Sequence, residues 1–134
     1  MNAQHMPQCI FTKVILDCGP DLRARFREEK IILTEIKPKL FFSDLVPSGG
    51  FQIRHSPPGY FMDFHLTTNP AWMFMLSGAL EISLRDGTAR VFRAGDHLYS
   101  EDMLPPGVAF DPSVHGHRAR QVGDQPVVAA FARG

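Results

Sequence analysis

The stretch Ala79-Leu-Glu-Ile-Ser-Leu84-Arg-Asp86-Gly87-Thr-Ala-Arg90-Val-Phe-Arg93-Ala-Gly95-Asp96 sets the pattern for the chain. Two strand-sized runs, 79–84 and 90–93, flank Asp86-Gly87. That dipeptide is a strong hairpin signal, because glycine takes the positive φ that a two-residue turn demands. Arg93-Ala-Gly-Asp96 reads as a second turn. The same rhythm continues on both sides, with strand-sized runs at 60–67, 72–77, 97–100, 116–122 and 126–132. Short strands at close spacing, with no long helical period, predict an all-β sandwich or barrel.

The N-terminal third is less regular. Residues 10–16, rich in β-branched and aromatic side chains, predict a first strand closed by Asp17-Cys-Gly-Pro20. Residues 21–30 fit a short helix and an irregular edge strand equally well, since Leu22 and Phe26 are their only large apolar residues. Further strands are expected at 31–34 and 39–42, separated by Pro38, and at 51–55 after the Pro47-Ser-Gly-Gly50 loop. The expected organisation is one domain over 1–134. Residues 1–8 are flexible, 9–50 form N-terminal strands and loops, and 51–132 form the barrel.

Charge narrows the function classes. Lys+Arg and Asp+Glu number 14 each, so nothing points to nucleic acid or an anionic membrane surface. No apolar run approaches the roughly 20 residues that a membrane-crossing helix needs. The chain starts with no signal-peptide pattern, and Cys9 and Cys18 lack metal-binding spacing, which favours free thiols in a reducing cytoplasm. A Gly-rich phosphate loop, a nucleophile elbow and a spaced Cys–His pair are all missing, which argues against acyl-transfer and nucleotide chemistry.

Two blocks carry a family resemblance. The first is Gly59-Tyr-Phe-Met-Asp-Phe-His65-Leu-Thr67, leading through Ala71 to Leu76-Ser-Gly78. The second runs from Gly95-Asp96 through Pro112 to His115-Gly-His117-Arg-Ala-Arg-Gln121. Together they resemble the cupin superfamily, and in particular its small bacterial single-domain members. The resemblance covers 51–132 and implies a double-stranded β-helix, a jelly-roll β-barrel, here with an N-terminal β extension. In the family's motifs the metal ligands would fall at His65, at Thr67, at Ala71 and at His117. Thr67 stands in place of a histidine and Ala71 in place of a glutamate. Residues 103–112 read as an inserted loop.

Alternation along strands then gives a candidate site, since residues two apart share a face. If His65 points inward, so do Asp63 and Thr67, and the next strand adds Ala71, Met73 and Met75. An inward His117 brings His115, Ala119 and Gln121. The expected ligand-binding set is His65, His117, Asp63, Thr67, Met73, Met75 and Gln121, in a mostly apolar lumen suited to a small molecule. The alternative is a metal-dependent oxygenase or isomerase binding Fe, Mn, Zn or Ni through His65, His117 and His115, with Asp63 as another oxygen donor. Glu101 and Asp102 could act as a base, orient a histidine, or simply shape a turn. Arg54 and His55 read as surface residues. Trp72 and Phe74, on the face opposite Ala71, read either as core or as the sheet face that cupins commonly pair across a dimer axis, and a homodimer is expected.

Overall fold

The computed structural model describes residues 8–134, so the flexibility expected of 1–8 falls almost wholly outside the described residues. The described residues form eleven strands and no helix: β1 (Gln8–Cys18), β2 (Ala24–Lys37), β3 (Leu40–Phe42), β4 (Phe51–Ser56), β5 (Phe61–His65), β6 (Ala71–Ser77), β7 (Ala79–Ser83), β8 (Ala89–Arg93), β9 (His97–Glu101), β10 (His117–Val122) and β11 (Val127–Arg133). Among the described residues no helix is therefore long and apolar enough to cross a membrane.

Strands β4 to β11 behave as one long nested hairpin. β7 pairs with β8, β6 with β9, β5 with β10 and β4 with β11, all antiparallel. Asp86-Gly87 forms the tip, where Gly87 has φ +88° and Asp86 Oδ1 accepts the Thr88 N–H. Wrapping this hairpin sends alternate pairs to opposite layers. One layer contains the order β9-β6-β11-β4 and the other is β5-β10-β7-β8. That strand order is a jelly roll, the all-β fold implied by the cupin resemblance.

The N-terminal extension lengthens the first layer to seven strands, β3-β2-β1-β9-β6-β11-β4. β1 joins β9 in parallel, with Ile15 opposite Tyr99. The ambiguous 21–30 segment is strand from Ala24 onward, after a turn through residues 21–23: β2 pairs with β1 from Gln8↔Thr34 to Cys18↔Ala24. Its arginines decide the matter, because Arg25 and Arg27 both bond Asp17 across the ladder. The expected break before residue 31 does not occur, and Pro38 falls in the short turn to β3.

Between the layers lies an apolar core of Val14, Leu16, Met73, Met75, Leu80, Ile82, Leu84, Phe92, Leu98, Ala119, Val127 and Ala129. On the outer face of the large layer, Ile53, Ala130 and Phe74 lie in register across β4, β11 and β6, and Ile53 and Phe74 are exposed. Trp72 stacks on Phe74 at 5.6 Å and lies under the Lys13 ammonium at 4.8 Å. Cys9 and Cys18 are free thiols.

Candidate functional site

A cavity of about 520 Å³ opens between the layers. Its apolar wall includes Leu16, Met73, Leu80, Ile82, Leu98, Ala119 and Phe131. Its polar groups include His65, His117, Thr67 and Ser100, with Arg54 and Arg133 also on the wall.

His65 and His117 are directly opposite on β5 and β10, with ring centroids 4.4 Å apart. Their approach depends on Gly116. Its φ is +88°, and a Cβ there would stand 2.6 Å from the His65 carbonyl oxygen. Only glycine satisfies both the left-handed backbone and the close approach.

Each imidazole is anchored through Nδ1. His117 Nδ1 lies 2.7 Å from Asp102 Oδ2, and both side chains are almost fully buried (6% and 1% exposed). A carboxylate only accepts, so Nδ1 carries the proton and the neutral ring keeps its lone pair on Nε2. His65 Nδ1 donates to the Asp63 carbonyl oxygen at 2.8 Å, which imposes the same tautomer. Burial lowers the His65 pKa, opposed by that hydrogen bond, so the ring is held neutral near pH 7. In its neutral form each ring thus has its free lone pair on Nε2, and both residues line the cavity.

Asp102 is itself clamped. Its N–H donates to Thr67 Oγ1, its carbonyl accepts the Thr67 N–H, and Thr67 Oγ1 also bonds Ser100 Oγ at 2.7 Å. The position where the resemblance has a second histidine thus carries a hydroxyl that holds the carboxylate orienting His117. Of the roles weighed for Asp102, orienting a histidine is the one its geometry serves. Glu101 turns away to pair with Arg27 at 3.3 Å.

The structure divides the expected ligand-binding set. His65, His117, Thr67 and Met73 line the cavity. Asp63 does not: the four β5 residues from Met62 to His65 oppose only three on β10, from Ala119 to His117, a β-bulge that resets the alternation. Met62 and His65 both reach the lumen, while Asp63 is 75% exposed and faces Arg118. The bulge also delivers the Asp63 carbonyl to His65. Met75 packs in the core away from the cavity. Gln121 staples a loop, accepting the Gly59 N–H and donating to the carbonyls of Val122, Gly123 and Gln125.

His115 is also misplaced by simple alternation. β10 begins at His117, and the left-handed Gly116 breaks the period before it. His115 is buried, but its Nδ1 accepts the Asp111 N–H and it does not line the cavity.

Metal-ligating histidines are commonly fixed through their second nitrogen, as these two are. A catalytic zinc site typically takes three protein ligands, and a non-haem iron site two histidines and a carboxylate. Among the described residues no group of three His, Cys, Asp or Glu side chains converges. The two-imidazole donor set does not fit a tightly held resident metal.

Sequence reasoning missed Arg54, Arg133, Met62 and Ser100 as lining residues. Arg54 was readable only through the β4–β11 register, which places it opposite Ala129 on the lumen side.

No family model matches the chain, and no curated protein matches it significantly. Among solved structures, it is similar to the DMSP lyase DddQ from Ruegeria pomeroyi DSS-3, at 21% identity and a TM-score of 0.41. That alignment covers 100% of this chain and 51% of the other, so the chain spans about half the length of that protein. The fold assignment rests on strand order, and the likeness adds nothing about the site.

Proposed function

We propose that this chain binds a small organic molecule in the barrel lumen through His65 and His117, without a resident metal. The observation that carries this reading is the pair of Nδ1-anchored imidazoles on the wall of an otherwise mostly apolar cavity. About 520 Å³ is within the usual range for small-ligand sites. Nε2 of each ring accepts a proton or hydrogen bond from a ligand hydroxyl or acidic C–H or N–H. The Asp102 carboxylate stabilises His117 if it takes up charge, which gives the pair the means for general-base work.

Elemental analysis of protein carrying no histidine tag tests the metal-free part. Substoichiometric Fe, Mn, Zn and Ni are expected. A stoichiometric metal that disappears in both His65→Ala and His117→Ala would replace this reading with the metal-dependent enzyme.

The homodimer remains a proposal too. The apolar row Ile53–Ala130–Phe74 on the outer sheet face supports it, because a two-fold axis would set that row against itself. Light scattering at micromolar concentration should give twice the 15.0 kDa chain mass.

A further inference from the structure

The cavity wall is electrostatically one-sided. Arg54 and Arg133 line it, and no Asp or Glu does. Neither arginine forms an ion pair with a described carboxylate, whereas Arg25, Arg27, Arg90, Arg118 and Arg120 each have an acidic partner. Two cations without an acidic partner thus share a cavity wall that carries no carboxylate.

The two cations are placed by the strands that carry the apolar wall. Arg54 sits opposite Ala129 on the β4–β11 ladder, and Arg133 is opposite Ala71 on the β11–β6 ladder. Arg54 is also held in place. Its guanidinium lies 4.1 Å from the Phe131 ring centroid, and one of its nitrogens donates to Gln52 Oε1 at 3.3 Å. Stacking on an aromatic face leaves the edge of the guanidinium fork free. Such a fork matches the two oxygens of a carboxylate. Low-dielectric walls focus the field of charges in a cleft and concentrate anions there.

We propose that the lumen ligand is a small carboxylate with an apolar body. Its anionic end is held by Arg54 and Arg133, and its body lies against Phe131, Met62 and Met73 and extends toward the imidazole pair. This inference rests on the lumen reading above and specifies its ligand class.

Matched acids and amides test it: hexanoate against hexanamide and phenylacetate against phenylacetamide, titrated by calorimetry at low ionic strength. The acids are expected to bind roughly tenfold or more tightly than their amides, as charge-assisted hydrogen bonds allow. That preference should collapse toward unity in the double variant Arg54→Gln/Arg133→Gln. Both residues are exposed, so an unchanged melting temperature in the double variant confirms an intact fold. Ala119→Phe, which fills the lumen, should abolish binding of every probe.

Equal binding of acid and amide, lost in Ala119→Phe, would overturn the carboxylate assignment and leave the lumen reading standing. An acid preference that survives in the double variant would overturn it as well. Binding of all probes that persists in Ala119→Phe, or no binding by any probe, would count against both.

Discussion

His117 and His97 lie on strands of opposite layers, and their partners impose opposite demands on the ring. His117 donates Nδ1–H to the buried Asp102 carboxylate. That partner tolerates both the neutral and the charged imidazole. At the seam where β1 joins the barrel, His97 Nε2 accepts the Val14 N–H at 3.0 Å, so only the neutral ring can hold the seam. Around His97 stand Phe11, Trp72, Lys13, Arg90 and Asp96. Burial, with help from Arg90 and Lys13, lowers its pKa against the opposing pull of Asp96. One residue type thus builds a site that can accept a proton and a seam that is broken by one.

The largest expected effect strikes the lumen pair. Gly116→Ala places a Cβ against the His65 backbone at a left-handed position, and should cost on the order of 3 kcal/mol in urea unfolding. A loss below about 1 kcal/mol would mean that β5 and β10 are not so close at this point. Next comes Asp102→Ala, which leaves the His117 N–H buried without an acceptor. It should cost about 2 kcal/mol and lower ligand affinity without displacing the ligand site.

The pH dependence tests the His97 seam. A group with a lowered folded pKa binds its proton less readily when folded, so it stabilises the fold only above its unfolded value, near pH 6.5. As pH falls below that, toward the folded pKa, the stabilisation is lost. His65, also lowered by burial, contributes with the same sign. The wild-type melting temperature should therefore drop between pH 7 and pH 5, and His97→Gln, which keeps an acceptor oxygen for Val14, should drop less. An identical drop would assign the acid sensitivity elsewhere. Smallest of all is Arg120→Gln, which removes the exposed partner of Glu81 and should leave the melting temperature unchanged at physiological salt.

How much of this was legible in the sequence depended on whether strict alternation held. Turn chemistry at Asp86-Gly87 and the run of short strands revealed the barrel, because hairpin glycines and period-two patterning are local properties. His65 and His117 came from the family resemblance, and alternation from them put Thr67 and Met73 on the same wall, where all four line the cavity. The failures are local breaks in the period. A bulge at Asp63-Phe64 turned Asp63 outward, and Gly116 detached His115 from the β10 pattern. Neither leaves a signature that alternation counting detects. Asp102 and Arg54 are different: each reaches the site through pairing with a distant strand or loop, and no window of neighbouring residues contains that information. The helix–strand ambiguity of 21–30 has the same origin, since Asp17, which pairs Arg25 and Arg27, lies on another strand.

Long-range ¹H–¹⁵N correlation NMR at pH 8 reads the tautomer of each imidazole. His65 and His117 should both appear as Nδ1–H forms, with Nε2 resonances that move when a lumen ligand is added. An Nε2–H tautomer at either residue, or Nε2 resonances indifferent to every ligand bound, would contradict the site.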